Sequence, residues 1–154
     1  MFPILALLIA SELTTAGAPP KAIPQYSVHV SVRETYTGSV KKPGVILAEP
    51  IMMVSASREA SYQVGDAITI KGEKIPSGTS IKIKVDPEQN EQVHVVGAIE
   101  ISSLSKPVDD IVARDSRSIH LSKTMTCGKQ IQMCMSKTPG SETWCFVQVD
   151  HARE

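Results

Sequence analysis

The sequence predicts an all-β protein, built as an antiparallel sandwich or a barrel-like sheet, and the period of its apolar residues is the first reason. In residues 26–32 every second side chain is apolar, and residues 80–85 repeat the pattern. A period of two places these apolar side chains on one face of a half-buried strand. In residues 93–101 the same period puts Gly97 on the apolar face, where we expect a bend or a bulge.

Turn residues between the apolar segments are the second reason. Proline, glycine and aspartate cluster at positions 42–44, 64–66, 76–78, 86–87, 127–128 and 139–140. Such residues favour tight turns, and strand segments that recur about every 10 to 14 residues with polar turns between them are typical of antiparallel sheets. We therefore expect one β domain over residues 26–150.

One segment of this domain has the signals of a short helix. Residues 107–114 begin with a proline, continue with Asp109 and Asp110, and carry apolar side chains on one side. Proline and acidic residues suit the first turn of a helix. The segment is short, however, and could equally be an irregular loop.

Composition excludes some partners. The 154 residues contain 16 basic and 16 acidic side chains, so the chain has no net charge, and only 4% of residues are aromatic. A nucleic-acid partner needs a basic surface, usually with aromatic side chains for stacking on single strands. We therefore expect no nucleic-acid partner, and the composition leaves membrane association open.

The N-terminus has the form of an export signal. Residues 2–10 are apolar and too short to span a bilayer, and residues 16–18 offer a small-x-small cleavage pattern. No basic residue precedes the apolar run, so a buried N-terminal strand or helix is the alternative. We expect a signal peptide over residues 1–18, a proline-rich linker over residues 19–25, and a periplasmic or outer-membrane location.

The three cysteines point to a bridge rather than a metal site. If the loop at residues 138–141 is symmetric, Lys137 faces Glu142 and the ladder sets Cys134 opposite Cys145, at a position that suits a disulfide. Met133, Met135, Trp144 and Phe146 would then form the core face. The alternative is a pair of buried or half-buried thiols, since a three-residue loop would break this register. Cys127 is left over, and three cysteines at this spacing do not suit zinc.

Nothing in the sequence has the spacing of a catalytic, metal-binding or cofactor-binding motif. The histidines lie at least 26 residues apart, at positions 29, 94, 120 and 151. No phosphate-binding loop or nucleophile elbow is present. We therefore predict a protein that binds or assembles rather than an enzyme, with no cofactor and no metal.

Several phrases, in order along the chain, carry a resemblance to a known family. Residues 45–50 end a strand in a leucine-small-x-proline phrase, and residues 59–65 form a short strand closed by Val-Gly. A glycine-led alternating strand ending in proline follows at residues 78–87. These segments and a later turn, in this order over residues 45–149, resemble the conserved C-terminal domain of secretins. Secretins are the ring proteins of bacterial type II and type III secretion systems. The positions that carry the likeness are Leu47, Pro50, Ala60, Val64, Gly65, Gly78, Pro87 and Gly128.

The resemblance implies a secretin-like β domain that acts in assembly or binding at the bacterial cell envelope, as a homo-oligomer or with an envelope protein partner. Secretins carry a much longer insertion between the positions of Gly65 and Gly78, and they carry ring-building domains before the segment that begins at Val45. The expected function therefore lacks an autonomous pore. The alternative is a free-standing monomeric β-sandwich, periplasmic or extracellular, that binds an unknown ligand.

Overall fold

The computed structural model describes residues 21–37, 44–106, 108 and 111–152. In these residues the chain forms eleven β-strands and no helix, so the prediction of an all-β protein is confirmed. The predicted leader, residues 1–18, lies outside the described residues. The strands are β1 (Gln25–Tyr36), β2 (Val45–Ala48), β3 (Ile51–Ser55), β4 (Glu59–Val64), β5 (Ala67–Ile70), β6 (Glu73–Pro76), β7 (Gly78–Pro87), β8 (Gln92–Leu104), β9 (Arg114–Thr126), β10 (Gln130–Lys137) and β11 (Ser141–His151).

Two antiparallel sheets account for nine of the strands. Sheet A has the order β10-β11-β1-β2, and β3 also pairs with β1, beside the half of β1 that β2 leaves uncovered. Sheet B has the order β4-β7-β8-β9. The remaining two strands, β5 and β6, form a separate hairpin that leaves sheet B between β4 and β7.

The core lies between the two sheets and is formed by the alternating apolar side chains. In β1, Val28, Val30 and Val32 are fully buried, and in β7 the same holds for Ile81 and Ile83. Burying each such side chain contributes about 1.5 to 3 kcal/mol, which explains why the alternation is kept along every central strand. The larger set of fully buried residues is Val28, Val30, Val32, Val54, Ile81, Ile83, Val85, Val93, Val95, Ile99, Val147 and Val149.

Gly97 lies in an unbroken ladder, so the predicted bulge is wrong. It pairs with Ile83 on one side and with Leu121 on the other, without a shift of register. A Cβ atom at this position would collide with the carbonyl oxygen of Lys82 and lie 2.7 Å from Cγ1 of Ile83. The glycine is therefore required by the close approach of β7 rather than by a bulge in β8.

The helix predicted over residues 107–114 is also wrong for the described part of that segment. Strands β8 and β9 stay paired as far as Leu104 and Arg114. Beyond them, the amide of Ser105 donates to the carbonyl of Ala113 (2.9 Å), and Val108 and Ile111 exchange hydrogen bonds of 3.0 and 2.8 Å. Cross-strand pairing thus satisfies backbone groups that a short isolated helix would satisfy only marginally.

The C-terminal hairpin departs from the predicted register by one residue. Lys137 does face Glu142, as predicted, but the ladder shifts between Cys134 and Ser136. Met135 is the extra residue of this bulge, so Met133 lies opposite Cys145, and Cys134 lies opposite Trp144. One inserted residue exchanges the two faces of a strand pair. Cys145 consequently points into the core, whereas Trp144 and Phe146 point outward.

Candidate assembly site

The family-motif residues at the break between β2 and β3 have structural roles. Pro50 is buried and lies between the two strands, and its carbonyl accepts a hydrogen bond from the amide of Val30 (3.0 Å). Proline lacks an amide hydrogen, which is tolerated at a strand break on a sheet edge. Leu47 on β2 and Ala60 on β4 are half-buried and pack against the core.

A second group of motif residues meets at the base of the β5–β6 hairpin. Gly65 directly follows β4 and has a φ of 148°, and Gly78 begins β7 with a φ of 114°. A Cβ atom on Gly78 would lie 2.6 Å from the Cα of Gly65 and would collide with the carbonyl oxygen of Val64. The two backbones touch here, so both positions need glycine for space and for conformation.

The last two motif residues lie at the opposite end of the sandwich. Pro87 ends β7 and pairs with Val93. Gly128 turns the chain from β9 to β10 with a φ of 82°, and its amide donates to the carbonyl of Val149 (2.8 Å). The motif residues therefore stabilise turns and strand ends at separate places, and they do not converge on one pocket.

The edges of the two sheets lie side by side. Strands β3 and β4 contact each other on one side of the sandwich, and β9 and β10 contact each other on the opposite side. Sheet A ends in β2 and β3 on the first side and in β10 on the second, while sheet B ends in β4 and β9. Each side of the molecule thus presents one edge from each sheet.

The direction of these edge strands follows from the ladders. Strand β3 runs antiparallel to β1, and β10 runs in the direction of β1 because β11 lies between them. Strand β9 likewise runs opposite to β4. A copy placed beside this one could therefore continue both sheets by antiparallel pairing, β3 with β10 and β4 with β9.

Backbone groups on β3 are available for such pairing. The amide of Val30 on β1 donates to the carbonyl of Pro50. Backbone groups of successive residues in a strand point alternately to its two sides, so the amide and carbonyl of Met52 also point toward β1. The backbone groups of Ile51 and Met53 then point to the open edge. Their side chains are 67% and 58% exposed.

The outward faces of the two sheets differ in chemistry. On sheet B the outward side chains are mostly serine, threonine, lysine and histidine, such as Ser80, Lys82 and His120. On sheet A, Trp144 and Phe146 are outward and half-buried, and the guanidinium of Arg33 lies 5.4 Å from the ring centre of Phe146. The alternation of apolar residues in the sequence does not show that Trp144 and Phe146 point outward, because the bulge at Met135 decides which face they occupy.

An ion pair joins the two sheets near the β5–β6 end. Nη1 of Arg117 on β9 donates to Oε1 of Glu34 on β1 (2.8 Å) and to Oγ1 of Thr143 on β11 (2.7 Å). The hydrogen bond to Glu34 raises the already high pKa of Arg117, and the nearby carboxylate of Asp115 acts in the same direction. This inter-sheet bridge was not apparent from the sequence, because its members are 26 to 83 residues apart.

All three cysteines are free thiols in the structure, so the predicted Cys134–Cys145 bridge is not formed. The shifted register places Cys134 on the outward face and Cys145 in the core, and thiols on opposite faces cannot meet. Burial raises the pKa of Cys145 to about 12. Burial, together with the nearby carboxylates of Asp150 and Glu91, also raises the pKa of the half-buried Cys127.

These environments predict three rates of thiol modification. In the folded protein, we expect Cys134 to react first with an aromatic disulfide reagent, Cys127 more slowly, and Cys145 only after unfolding, because the thiolate is the reactive form. Titration in denaturant should count three thiols per chain without prior reduction. A count of one would restore the disulfide, and a Cys134→Ser variant should remove the fast phase.

Two of the described histidines contact polar side chains nearby. His29 lies 3.7 Å from a carboxylate oxygen of Glu49, and the ring of His94 lies within hydrogen-bond distance of Thr124 (3.1 Å) and Ser122 (3.3 Å). Among residues 21–37, 44–106, 108 and 111–152, no group of three metal-binding side chains occurs. The same residues contain no helix long and apolar enough to cross a membrane.

Comparison with known proteins identifies the class of fold. No family model matches the sequence, and no curated protein sequence matches it either. Solved secretin structures do match its fold, and they cover 86% of this chain in each case described below. The chain therefore has the fold of a secretin-like domain, as the resemblance of its motifs predicted.

The individual likenesses are to secretins of two secretion systems. The type II secretin GspD of enteropathogenic Escherichia coli superposes with a TM-score of 0.68 at 12% identity, over 70% of its chain. ExeD of Aeromonas hydrophila gives 0.65 at 11% identity, over 49% of its chain. The type III injectisome secretin InvG of Salmonella gives 0.55 at 10% identity, over 62%. This chain thus spans about half of ExeD.

Proposed function

We propose that this chain is an exported secretin-like β domain that works by binding and assembly at the bacterial cell envelope, rather than as an enzyme. The observation that carries the proposal is the arrangement of the four sheet edges. Each side of the sandwich presents one edge of each sheet, and the edges on opposite sides run in opposite directions. Copies arranged head to tail would then continue both sheets into a ring with two walls.

The chemistry of the outward faces supports one orientation in such a ring. The face of sheet B is polar and rich in hydroxyl groups, which suits a wall that faces water inside the ring. The face of sheet A carries Ile46, Ile51 and Met53 with more than half of each side chain exposed, in addition to Trp144 and Phe146. Exposed apolar side chains of this kind are typical of surfaces that contact partners.

The short β5–β6 hairpin supports a function without an autonomous pore. Secretins carry a much longer insertion between the positions of Gly65 and Gly78, and this chain has only the hairpin of β5 and β6 there. The hairpin forms its own two-stranded sheet. A two-stranded hairpin is at best marginally stable by itself, and one so small offers little surface with which to gate the opening of a ring. The proposed ring would therefore not be an autonomous gated pore.

The mass of the protein in solution tests the assembly. We expect purified protein to form species heavier than a monomer, and a Met53→Pro variant to remain monomeric. Proline removes the edge amide of Met53 while leaving the bonds between β1 and β3 in place, because those use Met52 and Val54.

A matched control separates backbone from side-chain effects. Met53→Thr changes the same side chain but keeps the amide, so it should assemble like the unmodified protein in light scattering or native mass spectrometry. Identical masses for Met53→Pro and Met53→Thr would contradict pairing through this edge. A strictly monomeric unmodified protein, with and without lipid or detergent, would overturn the ring.

The second candidate is a free-standing monomeric β-sandwich, periplasmic or extracellular, that binds a ligand. Two features of the edges favour it. The bulge at Met135 distorts the edge strand β10, and Lys123 on the edge strand β9 is exposed although its neighbours Leu121 and Met125 on the same face are buried. Bulges and inward-directed lysines are devices that protect sheet edges from pairing.

Export is the remaining part of the proposal and is tested separately. The apolar run of residues 2–10 and the small residues at 16–18 support cleavage after Ala18. N-terminal sequencing of protein recovered from the periplasm should begin at Pro19. Retention of Met1 in protein that stays in the cytoplasm would contradict export.

A further inference from the structure

One row of side chains crosses the outward face of sheet B from edge to edge. The ladders set Ser61 on β4 opposite Lys82, Lys82 opposite Ala98 on β8, and Ala98 opposite His120 on β9. Side chains in one row of an antiparallel sheet lie side by side on the same face. The row therefore combines a lysine and a histidine with two small residues, near the middle of the sheet.

Lys82 differs in its pairing from the other basic side chains of this face. Nζ of Lys84 lies 2.9 Å from Asp86, and Nη2 of Arg114 lies 2.6 Å from Glu100. Lys82 is exposed and has no acidic partner within the part of the chain that the structure describes. In the neighbouring rows, by contrast, Glu59 lies opposite Lys84, and Glu100 is paired with Arg114.

A shallow depression lies beside this ammonium group. Its lining combines the small side chains of Ser80, Ala98 and Ser118 with the longer side chains of Lys82 and His120. Glu100 also lines it, but Oε1 of Glu100 accepts hydrogen bonds from Arg114 (2.6 Å) and Ser116 (3.1 Å). An ammonium group, two hydroxyl groups and an imidazole are then available as donors to a carboxylate.

We propose that this row binds the carboxylates of an acidic polypeptide. The proposal rests on the proposed function for its full effect, because in a ring of copies the row would repeat into a continuous belt on the inner wall. Four strands per copy at about 4.8 Å each would place one Lys82 roughly every 19 Å along that belt. Repeated weak contacts of this kind combine into a strong one.

The surrounding charges favour a polypeptide over a nucleic acid. Glu59 and Glu100 lie on the same face as Lys82, in the two neighbouring rows. The closely spaced phosphates of a nucleic acid would lie against these carboxylates, whereas an acidic polypeptide can place single carboxylates at the separated lysines. The face also contains no aromatic side chain among its described residues on which bases could stack.

Binding of a labelled polyglutamate, long enough to span several copies, tests the row. In fluorescence anisotropy, we expect Lys82→Gln to weaken binding by the assembled protein about tenfold, because one contact is lost in every copy. Lys123→Gln is the matched control. Lys123 is also exposed and without an acidic partner among the described residues, but it lies in register with the core-facing Val95. The affinity of the Lys123→Gln variant for polyglutamate should stay within about twofold of that of the unmodified protein.

The outcomes separate this inference from the proposed ring. Equal losses for Lys82→Gln and Lys123→Gln, or binding of a single-stranded oligothymidylate as tight as that of polyglutamate, would overturn the acidic-polypeptide row. If mass measurement shows only monomers, the ring fails. A selective loss in the monomeric Lys82→Gln variant would then still support the row, and no loss would overturn it.

Discussion

Replacing Gly78 with alanine is expected to lower the free energy of unfolding by about 3 kcal/mol or more, or to prevent folding. Two effects add at this position. The φ of 114° is one that side chains with a Cβ atom rarely adopt, and the added Cβ would collide with backbone atoms of Val64 and Gly65. To relieve this collision, β4 would have to separate from β7 at the point where the β5–β6 hairpin leaves the sheet. Urea unfolding followed by the fluorescence of Trp144 measures the change.

Two other glycines provide graded controls for this prediction. Gly72, at the tip of the β5–β6 hairpin, has a φ of 86° but no atom within 4 Å of an added Cβ, so Gly72→Ala should show only the conformational cost, about 1 kcal/mol. Gly140 has open space and no positive φ, so Gly140→Ala should be close to neutral. A Gly78→Ala variant as stable as Gly140→Ala would contradict the backbone contact between Gly65 and Gly78.

The inter-sheet bridge of Arg117 is expected to give the second large effect. We expect Arg117→Met to lower the free energy of unfolding by about 2 to 3 kcal/mol, because the carboxylate of Glu34 would lose its cationic partner at a site where its side chain is only 14% exposed. Thr143, which is 1% exposed, would lose the same donor. The loss should persist at high salt, since pairs that are partly buried are poorly screened.

A double-mutant cycle isolates the pair from the packing of the two side chains. If Arg117 and Glu34 interact as the geometry indicates, Glu34→Gln combined with Arg117→Met should cost about 1 to 2 kcal/mol less than the two single changes added together. Arg114→Met is the control, because the pair of Arg114 and Glu100 is 43% and 39% exposed and should contribute less than about 1 kcal/mol. Strict additivity would show that the bridge does not couple the sheets.

Much of the fold could be predicted because its signals are local. The alternation of β1, β7 and β8 follows from adjacent residues, and the same is true of the glycines and prolines that close the strands. The secretin-like order of motifs belongs to this class of information, and the comparison of folds confirmed the secretin-like fold that it implied, at sequence identities of 10 to 12%. Leader, export and assembly stay predictions that the experiments above address.

Two of the incorrect predictions share a cause. A proline shortly before two aspartates does not by itself specify a helix start. The pairing of β8 with β9, together with the bridge between Val108 and Ile111, decided against the helix. Gly97 was interpreted from its own strand, although its reason lies in the carbonyl of Lys82 on the neighbouring strand. In both cases the deciding contact comes from a residue that the local pattern does not contain.

The β character of the chain was determined by its sequence, because a period of two is a property of neighbouring residues and survives in any antiparallel arrangement. The face that each C-terminal side chain occupies was decided only by the tertiary structure. One extra residue at Met135 exchanges the faces of β10 relative to β11, so Cys145 enters the core while Cys134 and Trp144 point outward. Cross-strand pairing therefore decides which face each of these side chains occupies. The same pairing sets the sheet edges through which we propose that the domain assembles.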